Sequence, residues 1–283
     1  MRTRVLMSVV GLGLVACATT APVDRSAGQP QVTQESRRAE LYPKVSDYLT
    51  DIVALEPPWL APQIEFPTTG LLPDWRDNVC PQLTGLPEQE GKLILARISE
   101  IASAAGVRMA EEHCSPNLYI FVTSHPKELL EGMAKHRDSY DMFGPRGSPH
   151  LLDQFIGTAR PVRVWYNIYA AGQARYAFTR VLVVVDQTQL QGVSPGQLAD
   201  YVAMVGFAEI KPLAETRPNP PLRDAPTILK LFDGTPETAP AGLSDWDQAF
   251  LKTLYSNSRA VPWRREFARS DQLTIRMVSD IVP

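Results

Sequence analysis

The first sixteen residues constrain this chain most, because they determine the compartment in which the rest of it folds. Arg2 and Arg4 give a short cationic start, and residues 5–16 form a predominantly apolar run. A helix that spans a bilayer needs roughly 20 apolar residues, whereas a shorter run behind a cationic start is typical of an export signal. The sequence therefore predicts a protein that is exported before it folds.

The apolar run ends in Leu14-Val15-Ala16-Cys17. These four residues resemble the lipobox of bacterial lipoproteins, in which an aliphatic residue, a tolerant position and a small residue precede a cysteine. The resemblance implies that residues 1–16 are a signal peptide and that Cys17 carries the lipid that anchors the protein. Two or more acyl chains give stable membrane residence. In that family an aspartate after the cysteine retains the protein in the inner membrane, so the resemblance with Ala18 in this place implies the outer membrane, facing the periplasm. The alternative is ordinary cleavage near Ala18 or Ala21, which would release a free secreted protein.

The composition sets the domain organisation and the expected partners. Residues 17–36 are mostly small, polar or turn-forming, which predicts a lipidated flexible linker, and residues 37–283 have the length of a single globular domain. The formal net charge is −3, and removing two arginines with the signal peptide leaves −5. An acidic domain without a basic stripe argues against nucleic acid as a partner. Beyond the membrane reached through the lipid anchor, the expected partner is an envelope protein or a cell-wall component.

Two cysteines remain after lipidation, Cys80 and Cys114. An even pair in an oxidising compartment favours a disulfide, and the alternative is two free buried thiols. The sequence predicts no zinc site at the pair, because His113 adjoins Cys114 without a second pair of close ligands. No cofactor is expected elsewhere in the chain.

Hydrophobic periodicity predicts an α+β single domain with a mixed sheet and flanking helices. The predicted helices cover residues 37–54, 87–106, 126–136, 194–210, 225–232, 244–255 and 264–281, and the predicted strands cover 107–111, 118–123, 162–169 and 175–185. Residues 118–123 are apolar on both faces, so this strand is expected inside the sheet. The last two strands, joined around Gly172, have the pattern of a hairpin.

Gly192-Val193-Ser194-Pro195-Gly196 matches the G-x-S-x-G pattern of serine hydrolases. Pro195 has no backbone N–H to offer an oxyanion hole, and the last histidine of the chain, His150, precedes the serine. The same letters fit a helix start, because Ser194 and Gln197 form a capping box with proline at the first helical position. The helix cap is the favoured interpretation.

The helix behind this cap resembles, in frame, the active-site helix of metzincin-type zinc peptidases, whose pattern is H-E-x-x-H-x-x-G-x-x-H. In that family the histidines bind zinc, the glutamate is the general base and the glycine allows the chain to turn. The resemblance assigns the zinc positions to Ala199, Ala203 and Glu209, the base position to Asp200 and the turn to Gly206. Because alanine supplies no ligand, the sequence predicts no catalytic or metal site, and these five residues become candidates for a vacated cleft.

The resemblance continues downstream of this helix. Thr227-Ile228-Leu229 stands where matrixin-like peptidases carry Ser-Ile-Met, and residues 242–255 resemble their closing helix. It covers roughly residues 160–257 and implies a zincin-like fold for that part. The alternative is an ordinary amphipathic helix with a buried face of alanine, methionine and phenylalanine.

Other polar and aromatic candidates have structural interpretations. Glu111 and Glu112 are predicted on opposite faces of a strand, and Asp245 and Asp247 at a helix start, where they favour the helix dipole. Trp165-Tyr166 and Tyr169 form either a binding face or part of the core.

The sequence thus predicts a non-catalytic lipoprotein of the bacterial envelope, a binding or assembly module derived from a peptidase-like fold. Its alternatives are a zinc-dependent or serine hydrolase of the cell envelope, and a structural lipoprotein whose cleft is filled.

Overall fold

The computed structural model describes residues 33–53, 72–135, 142–144, 149–170, 176–210, 225–235, 238–256 and 270–283, and residues 34–283 form one compact unit. Its helices are α1 (Gln34–Ile52), α2 (Glu88–Ala105), α3 (Pro126–Lys135), α4 (Pro149–Gly157), α5 (Pro195–Phe207), α6 (Asp245–Ser256) and α7 (Ser270–Ile281), and its strands are β1 (Pro81–Thr84), β2 (Leu118–Thr123), β3 (Val162–Ala170) and β4 (Tyr176–Asp186). In this part of the chain no helix is long and apolar enough to cross a membrane. Cys17, His136 and the predicted turn at Gly172 lie outside the described residues.

The four strands form one mixed sheet in the order β1-β2-β4-β3. β1, β2 and β4 run parallel, and β3 pairs with β4 in the antiparallel direction. The prediction of an α+β domain with a mixed sheet is therefore confirmed. So are the interior position of residues 118–123 and the pairing of the last two strands as antiparallel neighbours.

Helices cover both faces of the sheet, and alternate side chains of β4 pack against the helices on opposite faces. Val181, Val183 and Val185 contribute to a large core shared with α1, α2, α5, α6 and α7. Leu182 and Val184 point to the other face and pack in a smaller cluster with Leu130 of α3. Because successive residues of a strand point to opposite faces, a continuous apolar run such as this one marks a strand buried on both sides.

Local capping signals locate the helix ends as predicted. α2 follows Pro87 and ends at Gly106, whose φ of 85° is the left-handed conformation that glycine adopts at low cost. Its N–H bonds back to the last turn of the helix. The short helix expected over residues 225–232, in contrast, is wrong, because only the 3-10 turn Ile228–Lys230 forms.

The prediction of a strand over residues 107–111 is also wrong. Met109 makes a single parallel bridge with Val79, and the chain then turns through His113, whose φ of 64° is left-handed. Glu111 and Glu112 are consequently exposed loop residues and not members of a strand. A strand needs several consecutive bridges, and this segment has a neighbour to pair with only at Met109. Its tertiary surroundings therefore outweigh its β propensity.

Cys80 and Cys114 form the predicted disulfide, with their sulfur atoms at bonding distance and their Cα atoms 6.0 Å apart. The bridge encloses β1 and α2 in a loop with a sequence separation of 34 residues. On the chain-entropy model, closing such a loop stabilises the fold by about 3 to 4 kcal/mol. The bridge thus ties the start of β1 to the segment that leads into β2.

Candidate functional site

The serine of the hydrolase-like pattern serves as a helix cap. The Ser194 hydroxyl accepts a hydrogen bond from the Gln197 backbone N–H at 3.2 Å, and the Gln197 carboxamide oxygen accepts one from the Ser194 N–H at 2.9 Å. These reciprocal bonds make the predicted capping box, with Pro195 in the first helical turn. Gln197 also donates to the Pro240 carbonyl at 2.7 Å. The geometry therefore explains the serine and the proline through helix initiation.

The two alanines at the zinc positions of the peptidase-like helix lie in the core. Ala199 and Ala203 are both 0 % exposed. A catalytic zinc site needs three protein ligands and an open position for water or substrate. The surroundings of these two methyl groups provide apolar packing in place of that opening.

Asp200, at the general-base position, is 3 % exposed and fully engaged. The Arg97 guanidinium of α2 donates to both of its oxygens, with the Nε–Oδ1 distance 2.7 Å. The backbone N–H of Leu243 donates to Oδ2 at 2.7 Å. A Cβ at Gly242 would lie 2.6 Å from the same oxygen, which shows how closely that loop approaches. The carboxylate thus joins α2, α5 and the loop before α6.

Gly206 has a packing role at the end of α5. It lies inside the helix, which continues to Phe207, and it has no left-handed φ. A Cβ at this position would lie 3.3 Å from Leu118 Cδ1, so the missing side chain allows α5 to approach β2 closely. The turn that the resemblance assigns to this glycine is therefore not made there. Trp75 donates its indole N–H to the Gly206 carbonyl at 2.8 Å.

Glu209, at the third zinc position, is 7 % exposed. Its neighbour Ile210 donates its N–H to the Tyr166 hydroxyl at 3.2 Å, and that hydroxyl donates to the Val205 carbonyl at 2.9 Å. Ile210 also forms an antiparallel bridge with Val53. Backbone contacts to β3 and to the end of α1 thus close the space beside this position. All five vacated-cleft candidates are buried, so the structure has no open cleft at them.

The segment that resembles the Met-turn meets α6 through a buried carboxylate. Asp247 is 0 % exposed, and its Oδ1 accepts hydrogen bonds from the Tyr48 and Thr227 hydroxyls at 2.9 and 2.6 Å. Its Oδ2 accepts from the Ile228 N–H at 2.8 Å and from the N–H and hydroxyl of Ser244, both at 3.0 Å. We call these five residues the Asp247 cluster. It connects α1, the 3-10 turn and the start of α6.

Burial raises the pKa of Asp247, and the hydrogen bonds from Thr227, Ile228, Ser244 and Tyr48 partly oppose that rise. Burial, followed by the charge of Asp247, raises the pKa of the Tyr48 phenol. Asp245 and Asp247 both lie in the first turn of α6, as predicted, but the buried hydrogen-bond partners of Asp247 were not predicted. The Ser-x-x-Asp spacing signals the helix cap, but nothing local to the sequence identifies Tyr48 or Thr227 as partners, because both lie far along the chain.

The hairpin aromatics pack mainly inside the protein. Trp165 contacts Phe143 and Phe155 and donates its indole N–H to the Phe143 carbonyl at 3.0 Å. Tyr166 stacks on Phe178 with its ring centroid 5.6 Å away. Tyr169 alone of the three predicted aromatics is exposed, at 39 %. These contacts favour the core-packing interpretation over a binding face.

Within the described ranges, no three His, Cys, Asp or Glu side chains come together as a metal-binding group. His113 and His125 are exposed in loops. The polar residues of the peptidase-like helix and of the Asp247 cluster are bound to protein partners, and their arrangement fixes helices relative to the sheet. Comparison with protein-family models, with curated proteins and with solved structures finds no match for this chain.

Proposed function

We propose that this protein is a non-catalytic, lipid-anchored protein of the bacterial cell envelope, whose domain is a binding or assembly module derived from a peptidase-like fold. The observation that carries the non-catalytic part of the proposal is the filled space at the positions that the resemblance assigns to zinc, where Ala199 and Ala203 are 0 % exposed. Beside them, Asp200 is neutralised by Arg97 at 2.7 Å. A general base must reach a water or substrate proton, and this carboxylate reaches neither.

The order of elements supports a peptidase-like origin. The hairpin of β3 and β4 precedes α5, and the 3-10 turn at Ile228–Lys230 and α6 follow it. The resemblance implies the same succession of hairpin, active-site helix, Met-turn and closing helix. In this chain each junction is closed by a hydrogen bond: the Tyr166 hydroxyl accepts one from the Ile210 N–H after α5, and the Asp247 carboxylate accepts one from the Ile228 N–H at the turn.

The lipid anchor is supported by the sequence around Cys17 and by the extent of the domain. The compact unit runs from Gln34 to the C-terminus. Residues 18–33, between the lipobox cysteine and this unit, have the composition of a flexible spacer. A lipid on Cys17 would thus hold the folded domain at the membrane without involving any residue of its core.

Restoring a histidine at a zinc position is expected to destabilise the fold and not to create a metal site. Ala203→His places an imidazole where the methyl group is fully buried, so it adds overpacking to the burial of an unpaired polar group. The expected loss is about 3 kcal/mol or more in the free energy of unfolding. Urea denaturation of the oxidised protein measures it.

Ala104→His is the matched control, because Ala104 is an exposed residue of α2. This change should alter stability by less than about 0.5 kcal/mol. Equal stability of the two variants, with zinc bound stoichiometrically by Ala203→His, would show that the site is open in solution. Stoichiometric zinc in the unmodified protein, lost with hydrolytic activity when a histidine is replaced, would also overturn the proposal.

Lipidation is expected at Cys17 when the full chain is made in a bacterium. Mass spectrometry of the mature protein should give an N-terminal peptide that begins at Cys17 and carries acyl chains. Cys17→Ser should block both processing and partition into detergent, because the hydroxyl cannot form the thioether. A mature chain that begins after Cys17 and remains in the aqueous phase would establish ordinary secretion instead.

A further inference from the structure

A groove of about 480 Å³ lies between α2, α6 and α7. Its apolar lining includes Ile101 of α2, Leu243, Ala249 of α6 and Ile281 of α7. A volume of this size lies within the range of sites that enclose small molecules or a few side chains. The groove is separate from the buried peptidase-like positions of α5, none of which lines it.

The charges around the groove are predominantly negative. Its two cations are already paired, Arg97 with Asp200 at 2.7 Å and Lys252 with Asp280 at 2.9 Å. Two other carboxylates in the lining are those of Asp245 and of Glu100, which contacts Arg97 at 3.2 Å and whose side chain is 68 % exposed. The lining thus holds three carboxylates, those of Glu100, Asp245 and Asp280, against two cations, which leaves a net charge of −1, so the complementary occupant is cationic.

Helix ends strengthen this preference. The last turns of α2 and α7 contribute Ala105 and Ile281 to the groove, and neither turn contains a basic residue. The C-terminal end of a helix carries partial negative charge and favours cations. α6 begins at the groove, and its positive end offsets only part of the charge of Asp245, the first residue of the helix.

An exposed apolar residue lies on α2 one turn before the groove. Leu93 is 62 % exposed and lies one turn before Arg97, which lines the groove. Residues four apart on a helix share a face, so Leu93, Arg97 and Ile101 follow one another along the same side. An apolar floor with a leucine beyond it suits an occupant that extends over more than one turn of helix.

We propose that this groove binds a basic peptide segment of a partner protein, with its apolar side chains on the floor and its lysines or arginines paired with Glu100 and Asp245. The inference rests on the proposed function, because it assigns a partner chemistry to the binding module. A peptide fits better than a compact cation, because only a ligand with apolar side chains would bury the apolar lining and Leu93.

The test is a fluorescence anisotropy titration of the full mature chain in nonionic detergent. The probe is a labelled peptide made only of lysine, leucine and alanine, with protein-free micelles as the blank. The Glu100→Lys and Asp245→Lys double variant should weaken binding at least about tenfold. The matched control reverses two exposed carboxylates outside the groove, Glu40→Lys with Glu128→Lys, and should retain the affinity.

Ala104 of α2 also lines the groove. Ala104→Trp therefore provides a second arm, because it fills the groove without changing its charge. It should remove binding while the thermal unfolding midpoint remains that of the unmodified protein. Equal weakening by the two charge-reversal pairs, no saturable binding, or full competition by spermine would each overturn the proposal. None of these failures would change the lipidation measured at Cys17 or the zinc content of the unmodified protein. A failure of the groove proposal is therefore distinguishable from a failure of the proposed function.

Discussion

Asp247→Ala is expected to destabilise the fold by about 3 to 5 kcal/mol, because it removes the shared acceptor of a buried hydrogen-bond network. The change leaves the Tyr48 and Thr227 hydroxyls and the backbone N–H groups of Ile228 and Ser244 without an acceptor. Each buried donor left unpaired costs roughly 1 to 3 kcal/mol, although the losses overlap. Urea denaturation followed by circular dichroism measures the effect.

Asp245→Ala is the control for this prediction, because the two aspartates lie in the same first turn of α6. Asp245 is exposed, and its removal costs only its interaction with the helix dipole, about 1 kcal/mol or less. Similar losses from the two variants would mean that the Asp247 cluster does not form in solution. Asp247→Asn should give an intermediate loss, since an amide keeps one of the two acceptor oxygens.

Gly85→Ala is expected to destabilise the fold by about 3 kcal/mol or more, through strain and overpacking together. Gly85 follows β1 with a φ of 96°, a backbone conformation that residues with a side chain rarely adopt. A Cβ on this backbone would lie 1.8 Å from the carbonyl oxygen of Val122 in β2. The pairing of β1 with β2 must therefore open to admit a methyl group, since neither backbone is free to move alone.

Gly132→Ala provides the opposite result in the same assay. Gly132 lies within α3, and a Cβ there meets nothing within 4 Å. Alanine in a helix interior stabilises by roughly 0.5 to 1 kcal/mol relative to glycine. If Gly85→Ala were tolerated as well as Gly132→Ala, the close approach of the two strands would be wrong.

Elements with strong local signals were predictable from sequence. Gly106 ends α2 because glycine tolerates the left-handed conformation, and Ser194 with Gln197 starts α5 because their side chains satisfy backbone groups at once. β2 was identifiable as an interior strand from its apolar residues on both faces. Each of these signals involves residues that are close to each other in the sequence.

Other elements depend on distant partners and were missed. β1 is four residues long and begins with proline, which suits the edge of a sheet. Its side chains alternate in exposure, but four residues are too few for this pattern to identify a strand. Residues 107–111 have strand-like letters, yet a single bridge at Met109 is all that their neighbours allow. α4 has no acidic residue in its first turn and no basic one in its last, so its ends were not marked.

The sequence by itself determined features that need only neighbouring residues, namely the helix cap at Ser194 and the helix end at Gly106. The lipid on Cys17 stays a prediction. Tertiary structure alone decided that Ala199, Ala203 and Asp200 lie in a filled core. It also decided that Asp247, unlike Asp245, is the acceptor that connects three elements. The physical reason is that burial and hydrogen-bond satisfaction depend on which distant segments pack together, and residues 199 positions apart, such as Tyr48 and Asp247, meet only in the folded chain.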